Sequence, residues 1–319
     1  MRRSCANPIL TRADIPDVPP DVVDVSSVFN PGAIRLGDRD VLLLRVQTRG
    51  RETVLMIAES DDGERFTVRP RAVRIEGMEA VADRVYHVYD PRLTRIDDVI
   101  YIMFAGDTDE GCKLGVAKTA DFERVELVGF GGPHEVRNGV LFPEKRGGRF
   151  LRLERPNRTA LDGGVTTGDE IVLSESDDLV AWREVGSVMR GRGHYWDELI
   201  GSGPPPVKTR RGWLHVYHGV ARHFAAANIY QAGVGLLDLD DPTRVVARSR
   251  RNILEPREPY ELVGQVPNVV FPSGMIVDSY DDAGFAEADS RVRVYYGAAD
   301  TVVGLALTTI RELWAACED

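Results

Sequence analysis

Short apolar segments bounded by polar turns recur along the whole chain. The clearest are rich in β-branched and aromatic residues: 41–46, 99–104, 213–218 and 292–296. Residues of these types favour strands, and the Gly, Asp and Pro clusters at their ends favour turns. Only the last stretch, residues 309–317, has a pattern that suits a helix, and it is short. The pattern therefore predicts an all-β protein with a short C-terminal helix.

Pairs of strands joined by polar turns repeat at a spacing of about 60 residues, which is typical of propeller blades. The first hairpin turn of each unit lies at 37–40, 97–98, 146–148, 210–212 and, more loosely, 278–290. A second turn follows in four units, at 61–63, 120–122, 177–179 and 240–242. The fifth unit ends instead in residues 303–307 and the helix. Five units of four strands predict a five-bladed β-propeller, with residues 1–319 forming one domain.

Each unit begins with a turn that contains proline. These turns are Asn30-Pro31-Gly32, Asp90-Pro91-Arg92, Phe142-Pro143, Pro204-Pro205-Pro206 and Phe271-Pro272-Ser273. Because proline cannot donate to a strand ladder, it marks the beginning of a strand. The first strand of a propeller blade lines the central channel, so the five turns are expected to meet at one mouth. The alternative interpretation is one or two β-sandwiches with proline-rich loops.

Composition narrows the class of protein and its partners. The formal charge of −10 argues against a nucleic acid or an anionic membrane as partner, because both attract basic surfaces. No segment approaches the roughly 18 apolar residues of a membrane span, and no apolar stretch follows Arg2 and Arg3 as in a secretory signal. Cys5, Cys112 and Cys317 are too widely spaced for a zinc cluster or a disulfide framework. We expect a cytoplasmic protein without a metal or an organic cofactor.

The candidate chemistry lies at the predicted mouth, since G-x-S-x-G, Walker and H-E-x-x-H motifs are missing. Asp90 lies among the aromatic residues of the segment 86–92. Burial among aromatic rings would raise the pKa of its carboxyl group and suit it to donate a proton. The other interpretation is an ordinary Asp-Pro turn, in which the side chain bonds to nearby backbone.

Basic and polar residues stand at corresponding places in the later units: Arg137 with Asn138, Arg155, Lys208 and His218. Taken singly, each suits a solvated surface. Together they predict a cradle for phosphate, because arginine offers a fork of donors and lysine a point charge. His215 and His218 are three residues apart on a predicted strand, so they point to opposite faces and cannot hold one metal ion.

The chain resembles glycoside hydrolase family 130, the β-mannoside phosphorylases and their hydrolytic relatives. The resemblance rests on segments that follow one another through nearly the whole chain: 29–32, 89–92, 140–145, 154–156, 201–209, 217–219, 235–239 and 296–300. The joint match is specific, although each segment alone is weak. The family's fold is a five-bladed propeller, which agrees with the repeat.

The resemblance also implies roles for individual residues. It places the general acid at Asp90, which would pass its proton through the 3-hydroxyl of mannose to the glycosidic oxygen. It implies a phosphate site made of Arg137, Asn138, Arg155, Lys208, His218 and Tyr230. It implies that Asn30, Arg45 and Asp300 hold the mannosyl ring.

One acid beside a basic cluster favours phosphorolysis over hydrolysis. An inverting hydrolase needs a second carboxylate to activate water, whereas phosphate is already an anionic nucleophile that needs cations to hold it. We therefore expect an inverting β-1,4-mannoside phosphorylase with inorganic phosphate as co-substrate. It would release α-mannose 1-phosphate from β-1,4-mannosyl-N-acetylglucosamine or short β-1,4-mannooligosaccharides. A β-mannosidase on the same scaffold and a non-catalytic sugar-binding propeller are the alternatives, and the sequence leaves open whether the chain forms a homo-oligomer.

Overall fold

The computed structural model describes residues 1–132, 135–160, 166–223 and 227–318. Within these ranges the chain forms five sheets of four or five strands, arranged as the blades of a propeller, and one small separate hairpin. Almost all neighbouring strands are antiparallel and follow one another in sequence. The prediction of a five-bladed β-propeller is therefore confirmed, and the β-sandwich alternative is wrong.

The strands follow the chain from blade to blade. A short strand β1 (Arg2–Arg3) is followed by the first blade, which contains β2 (Val25–Leu36), β3 (Arg39–Thr48), β4 (Thr53–Ser60) and β5 (Thr67–Val73). The second blade contains β6 (Ile75–Glu76), β7 (Val85–Ile96), β8 (Val99–Thr108), β9 (Gly111–Thr119) and β10 (Val125–Gly131). Single 3₁₀ turns lie at Arg12–Asp14 and Met78–Ala80.

The third blade interrupts its strand order with the small hairpin. Its strands are β11 (Val136–Leu141) and β12 (Phe150–Pro156), then the hairpin of β13 (Thr159–Ala160) and β14 (Thr166–Thr167), then β15 (Glu170–Ser176) and β16 (Arg183–Arg190). The fourth blade contains β17 (Leu199–Ser202), β18 (Val207–Thr209), β19 (Gly212–Ala221), β20 (Ile229–Leu237) and β21 (Val245–Arg248).

The fifth blade contains strands from both ends of the chain. After helix α1 (Pro259–Leu262) come β22 (Val270–Val277), β23 (Arg291–Ala298) and β24 (Val302–Thr309). The outermost strand is β1, whose Arg2 and Arg3 pair with Leu307 and Ala306. The sequence did not predict this closure, because two arginines show no apolar alternation. Helix α2 (Ile310–Glu318) confirms the predicted C-terminal helix.

The hydrophobic core consists of layers between neighbouring blades. On β3, Leu42 and Leu44 pack in a cluster shared with the fifth blade, while Val41 and Leu43 pack in a cluster shared with the second. Both faces of the strand are therefore buried. This explains why its sequence is an unbroken apolar run rather than an alternation of apolar and polar residues.

The inner strands of the first three blades share one backbone irregularity. In each strand two residues stand opposite a single residue of the neighbouring strand, which is the geometry of a bulge. The first residue of each bulge is left-handed: Asn30 at φ 47°, Asp90 at φ 52° and Asn138 at φ 55°. Asn and Asp tolerate this conformation better than other residues with side chains.

These bulges correct one prediction. Pro31 and Pro91 do not begin their strands but lie inside them, at the second position of the bulge. Proline is tolerated there because the bulge removes the ladder bond that its missing N–H would have made. The bends turn three polar side chains toward the mouth of the channel.

The helices of the described ranges contain four and nine residues. Neither has the length or the apolar composition that crossing a bilayer requires.

Candidate active site

A cavity of about 300 Å³ opens where the inner strands converge. Every blade contributes to its wall. Nine of the ten residues predicted for the site line it: Asn30, Arg45, Asp90, Arg137, Asn138, Arg155, His218, Tyr230 and Asp300. Residues separated by up to 270 positions along the chain (Asn30 to Asp300) thus meet at one mouth, as the propeller arrangement predicts.

Asp90 is held by two donors from the first blade. The Asn30 amide Nδ2 and the Arg45 Nη1 each donate to Asp90 Oδ1 at 2.9 Å. The Arg45 guanidinium is itself packed on aromatic rings, 4.4 Å from the centre of Phe29 and 4.7 Å from that of Tyr89. Both hydrogen bonds use the same carboxylate oxygen, and no hydrogen bond within the described ranges uses Oδ2.

The charge state of Asp90 differs from the expectation. Burial does act to raise the pKa of its carboxyl group, but the positive charges of Arg45 and Arg92 and the hydrogen bonds from Asn30 and Arg45 outweigh it. The pKa therefore lies below its ordinary value. The prediction that aromatic neighbours raise this pKa was wrong, because the sequence did not show that two guanidinium groups lie beside the carboxylate.

Asp300 shows the opposite shift. Burial, with a further contribution from the negative charge of Asp90, raises the pKa of Asp300 to about 6, although Arg45 acts against the shift. The two carboxyl groups of one pocket therefore release their protons in different pH ranges, Asp90 below its ordinary range and Asp300 near pH 6. Such a separation is typical of sites that transfer protons.

The wall that the third and fourth blades contribute to the pocket is rich in cations and unpaired polar atoms. Within the described ranges, Arg137 Nε, Arg155 Nε, Asn138 Oδ1 and both ring nitrogens of His218 are buried without a hydrogen-bond partner. Buried polar atoms rarely stay unpaired. Arg137 has acidic neighbours, since its Nη2 lies 3.7 Å from a Glu135 oxygen and the negative charge of Asp107 also acts on it. These atoms fit an anionic ligand that accepts several hydrogen bonds.

Burial also determines the charges of this wall. It lowers the pKa of Arg155 to about 10, and the nearby charge of Arg137 adds to the shift. It lowers the pKa of His218 well below the ordinary value, with Arg155 and Arg92 acting in the same direction. Arg155 thus remains a cation at neutral pH and His218 a neutral imidazole.

Two glycines let the polar side chains approach one another. A Cβ at Gly201 would clash with the His218 ring and lie 2.6 Å from Asn138 Oδ1. A Cβ at Gly297 would clash with Asn30 Oδ1. Both positions therefore need glycine for close packing rather than for backbone freedom.

Lys208 is the predicted site residue that the structure does not bring to the pocket. It pairs with Trp213 on the neighbouring strand, and His218 lies five residues further along that strand, roughly 16 Å away at the rise of a β-strand. Its ammonium group lies 2.5 Å from Glu144 and 5.0 Å from the ring centre of Phe285. The assignment of Lys208 to the phosphate site is corrected, since the hairpin directs it to the other end of the blade.

Three further pocket residues were not predicted from the sequence. Tyr89 donates its hydroxyl to Asp107 at 2.6 Å, and both line the cavity. The ring of Phe271 lies 4.5 Å from that of His218. Tyr89 stands in the same motif as Asp90 and could have been found there. Asp107 lies at the end of an ordinary apolar strand and carries no comparable signal.

Comparison with known proteins identifies the family of the chain. The family model described as beta-1,4-mannooligosaccharide phosphorylase, of glycoside hydrolase family 130, matches residues 1–319. A beta-1,4-mannooligosaccharide phosphorylase of Ruminococcus albus is 32% identical over 97% of this chain and 88% of its own length. A 1,2-beta-oligomannan phosphorylase of Thermoanaerobacter sp. is 33% identical over 70% of this chain and 69% of its own length. The solved beta-1,2-mannobiose phosphorylase of Listeria innocua, in complex with beta-1,2-mannobiose, superposes with a TM-score of 0.83 at 25% identity and covers 99% of both chains.

Proposed function

This chain belongs to glycoside hydrolase family 130, and from that premise we propose that it is an inverting β-1,4-mannoside phosphorylase. Its substrates would be β-1,4-mannosyl-N-acetylglucosamine or short β-1,4-mannooligosaccharides, with inorganic phosphate as co-substrate. The products would be α-mannose 1-phosphate and a shortened acceptor. The observation that carries the proposal is one pocket that holds an acid on one wall and a set of unpaired cationic and polar atoms on the other.

One wall would bind the sugar and the other would bind phosphate. Asn30, Arg45 and Asp300 surround Asp90 and would bind the mannosyl ring beside the acid. Arg137, Asn138, Arg155, His218 and Tyr230 would hold phosphate on the far side of the anomeric carbon. Holding an anionic nucleophile in line converts a bimolecular encounter into attack within the complex, which is the main contribution that such a site makes.

The proposed bond changes are balanced without a catalytic base. A phosphate oxygen attacks the anomeric carbon as the bond to the glycosidic oxygen breaks, and Asp90 supplies the proton that the leaving oxygen needs. Inversion then gives the α-phosphate from the β-mannoside. Asp90 must be protonated for this step, although its protein surroundings lower its pKa. A phosphate anion in the pocket adds negative charge, which raises that pKa and favours proton uptake.

The 1,4 linkage is the finer part of the proposal. The Ruminococcus albus relative that matches over 97% of this chain bears a 1,4 name. The Thermoanaerobacter relative with a 1,2 name has similar identity over 70% of the chain. A β-1,2-mannoside phosphorylase is therefore the second candidate, and it would use the same acid and the same phosphate wall.

The decisive assay incubates the protein with β-1,4-mannobiose, β-1,4-mannosyl-N-acetylglucosamine or β-1,2-mannobiose, each with and without phosphate. We expect α-mannose 1-phosphate only when phosphate is present, and faster release from the 1,4 compounds. Turnover to free mannose that ignores phosphate would identify a β-mannosidase, and binding without any product would identify a sugar-binding protein. Synthesis from α-mannose 1-phosphate with a panel of acceptors, followed by NMR of the product linkage, then defines the acceptor.

A further inference from the structure

Arg92 contacts the pocket residues Asp90 and Phe271 and is almost completely buried, with 1% of its surface exposed. Its guanidinium donates to three backbone carbonyl oxygens: Nε to Gly203 at 2.8 Å, and Nη1 to Asp90 at 3.1 Å and Pro91 at 3.3 Å. The guanidinium carbon lies 5.4 Å from the ring centre of Phe271. Arg92 thus connects the second, fourth and fifth blades at the axis.

Burial of a charged guanidinium in this position costs free energy. Burial lowers the pKa of Arg92 to about 10, with the negative charge of Asp90 acting against the shift. None of the hydrogen bonds of its side chain within the described ranges goes to a carboxylate, and its Nη2 is buried without a partner there. An apolar side chain would occupy this place at lower cost if packing were its only purpose.

The contacts of Arg92 coincide with the bend that directs the acid. Asp90 and Pro91 are the two residues of the second-blade bulge, and Arg92 binds the carbonyl oxygens of both. Asp90 is left-handed, at φ 52°, a conformation that costs about 1–2 kcal/mol for most residues with side chains. The bond to Gly203 ties this bend to the segment between β17 and β18 in the fourth blade.

We propose that Arg92 is a positioning residue for phosphorolysis, which holds the Asp90 bulge in the orientation that presents the acid to the glycosidic bond. The inference rests on the proposed function. Its positive charge also acts on this site, since it lowers the pKa of Asp90 together with Arg45 and the pKa of His218 together with Arg155. Arg92 would touch neither the sugar nor phosphate.

Two substitutions separate geometry from charge. Arg92→Lys keeps the charge but loses the fork that binds three carbonyl oxygens, so we expect kcat to fall by roughly tenfold to a hundredfold, the loss that a misplacement of about 1 Å produces. The pH dependence should stay the same. Arg92→Met also loses the charge, so the pKa of Asp90 should rise toward that set by Asn30, Arg45 and Asp300, the other groups that face it. Because the acid must be protonated, the alkaline limb of kcat/KM should move to higher pH by about one unit.

The experiment measures kcat, KM for both substrates, the pH profile and Tm for the wild type and the two variants. Arg152→Lys is the matched control, because Arg152 is also buried but pairs with Glu154 and packs on Trp182 instead of binding the bulge. It should lower Tm without changing the pH profile. Folded Arg92 variants with wild-type kcat and pH profile would overturn the inference, and variants that do not fold would assign Arg92 a structural role instead. A wild type that releases no α-mannose 1-phosphate would overturn the proposed function as well.

Discussion

Replacement of Asp90 by asparagine tests the proposed acid with little change in shape. Asparagine tolerates the left-handed conformation at φ 52°. Its Oδ1 can accept the same two hydrogen bonds, from Asn30 and Arg45, that now measure 2.9 Å. What is lost is the ability to donate a proton as an acid and the negative charge that pairs with Arg45.

The structure sets the expected magnitudes. A hydrogen bond to a charged acceptor contributes roughly 1 kcal/mol more than one to a neutral acceptor. We therefore expect Asp90→Asn to lower the free energy of unfolding by about 1–2 kcal/mol, which corresponds to a Tm decrease of a few degrees. General acid catalysis contributes about 10²- to 10⁴-fold in rate, so kcat for a mannobiose should fall by at least a hundredfold.

The leaving group separates acid catalysis from other damage. Initial rates are measured at saturating phosphate with β-1,4-mannobiose and with 4-nitrophenyl β-mannoside. The nitrophenolate leaves without protonation, so the aryl substrate should lose much less activity than the disaccharide in Asp90→Asn. Asp107→Asn is the matched control, because it neutralises another pocket carboxylate, one that accepts from Tyr89. Its loss should be similar for the two substrates.

Two results would refute the role of Asp90. One is a folded variant that retains more than about a tenth of the wild-type kcat on the disaccharide, since a general acid contributes at least a hundredfold. The other is an equal loss on both substrates, which would indicate that the carboxylate binds the sugar but does not protonate the leaving oxygen.

Three further outcomes are expected. Arg155→Ala should raise KM for phosphate at least tenfold, which is equivalent to about 1.4 kcal/mol of binding free energy. Lys208→Ala should leave KM for phosphate unchanged, because Lys208 pairs with Glu144 outside the pocket. Equal effects of the two substitutions would mean that phosphate binds elsewhere. The pKa of Asp300 is about 6 in the folded protein and 3.8 when the group is free, so the folded state holds this proton to higher pH than the unfolded state does. The free energy of unfolding of the wild type should therefore decrease by about 3 kcal/mol as the pH rises from 4 to 6. Asp300→Asn should remove this loss and raise Tm at pH 7.5 but not at pH 4, and a constant Tm difference across pH would contradict the shift. Gly201→Ala should impair phosphate use through His218, detected as a higher KM for phosphate, and should also lower Tm because the added methyl group overlaps a buried ring. An unchanged KM would show that the ring can move away.

The five-fold repeat could be predicted from the sequence because each blade is defined by turns and apolar segments that are close together in the chain. Polar turns such as 37–40 and 61–63 separate strands whose side chains fill the layers between blades, and the structure places hairpins at these turns. The strand β1, which completes the fifth blade, could not be predicted, because it pairs with β24 across more than 300 residues of sequence. Long-range pairing of two polar residues leaves no periodic pattern.

The site was only partly predictable for a related reason. The positions of Asp90, Arg137 and Arg155 at strand ends and bulges follow from the repeat, so their convergence could be expected. The direction of Lys208 depends on which end of a hairpin faces the mouth, and a motif does not show this. The low pKa of Asp90 depends on Arg45, which approaches it from the first blade, and on the guanidinium of Arg92, which lies two residues further along the same strand. Such an electrostatic balance is a property of the assembled ring.

The bulge shared by three neighbouring blades has a consequence for how this pocket can evolve. The backbone already bends at positions 30, 90 and 138. The group that each position directs to the pocket, an amide or a carboxylate, is therefore determined by a single side chain. An exchange of Asn and Asp between two of these positions would rotate the proton donor by one blade around the axis, with no insertion and no new loop. The position of the proton donor around the ring therefore depends on single side chains and not on a change in the course of the backbone.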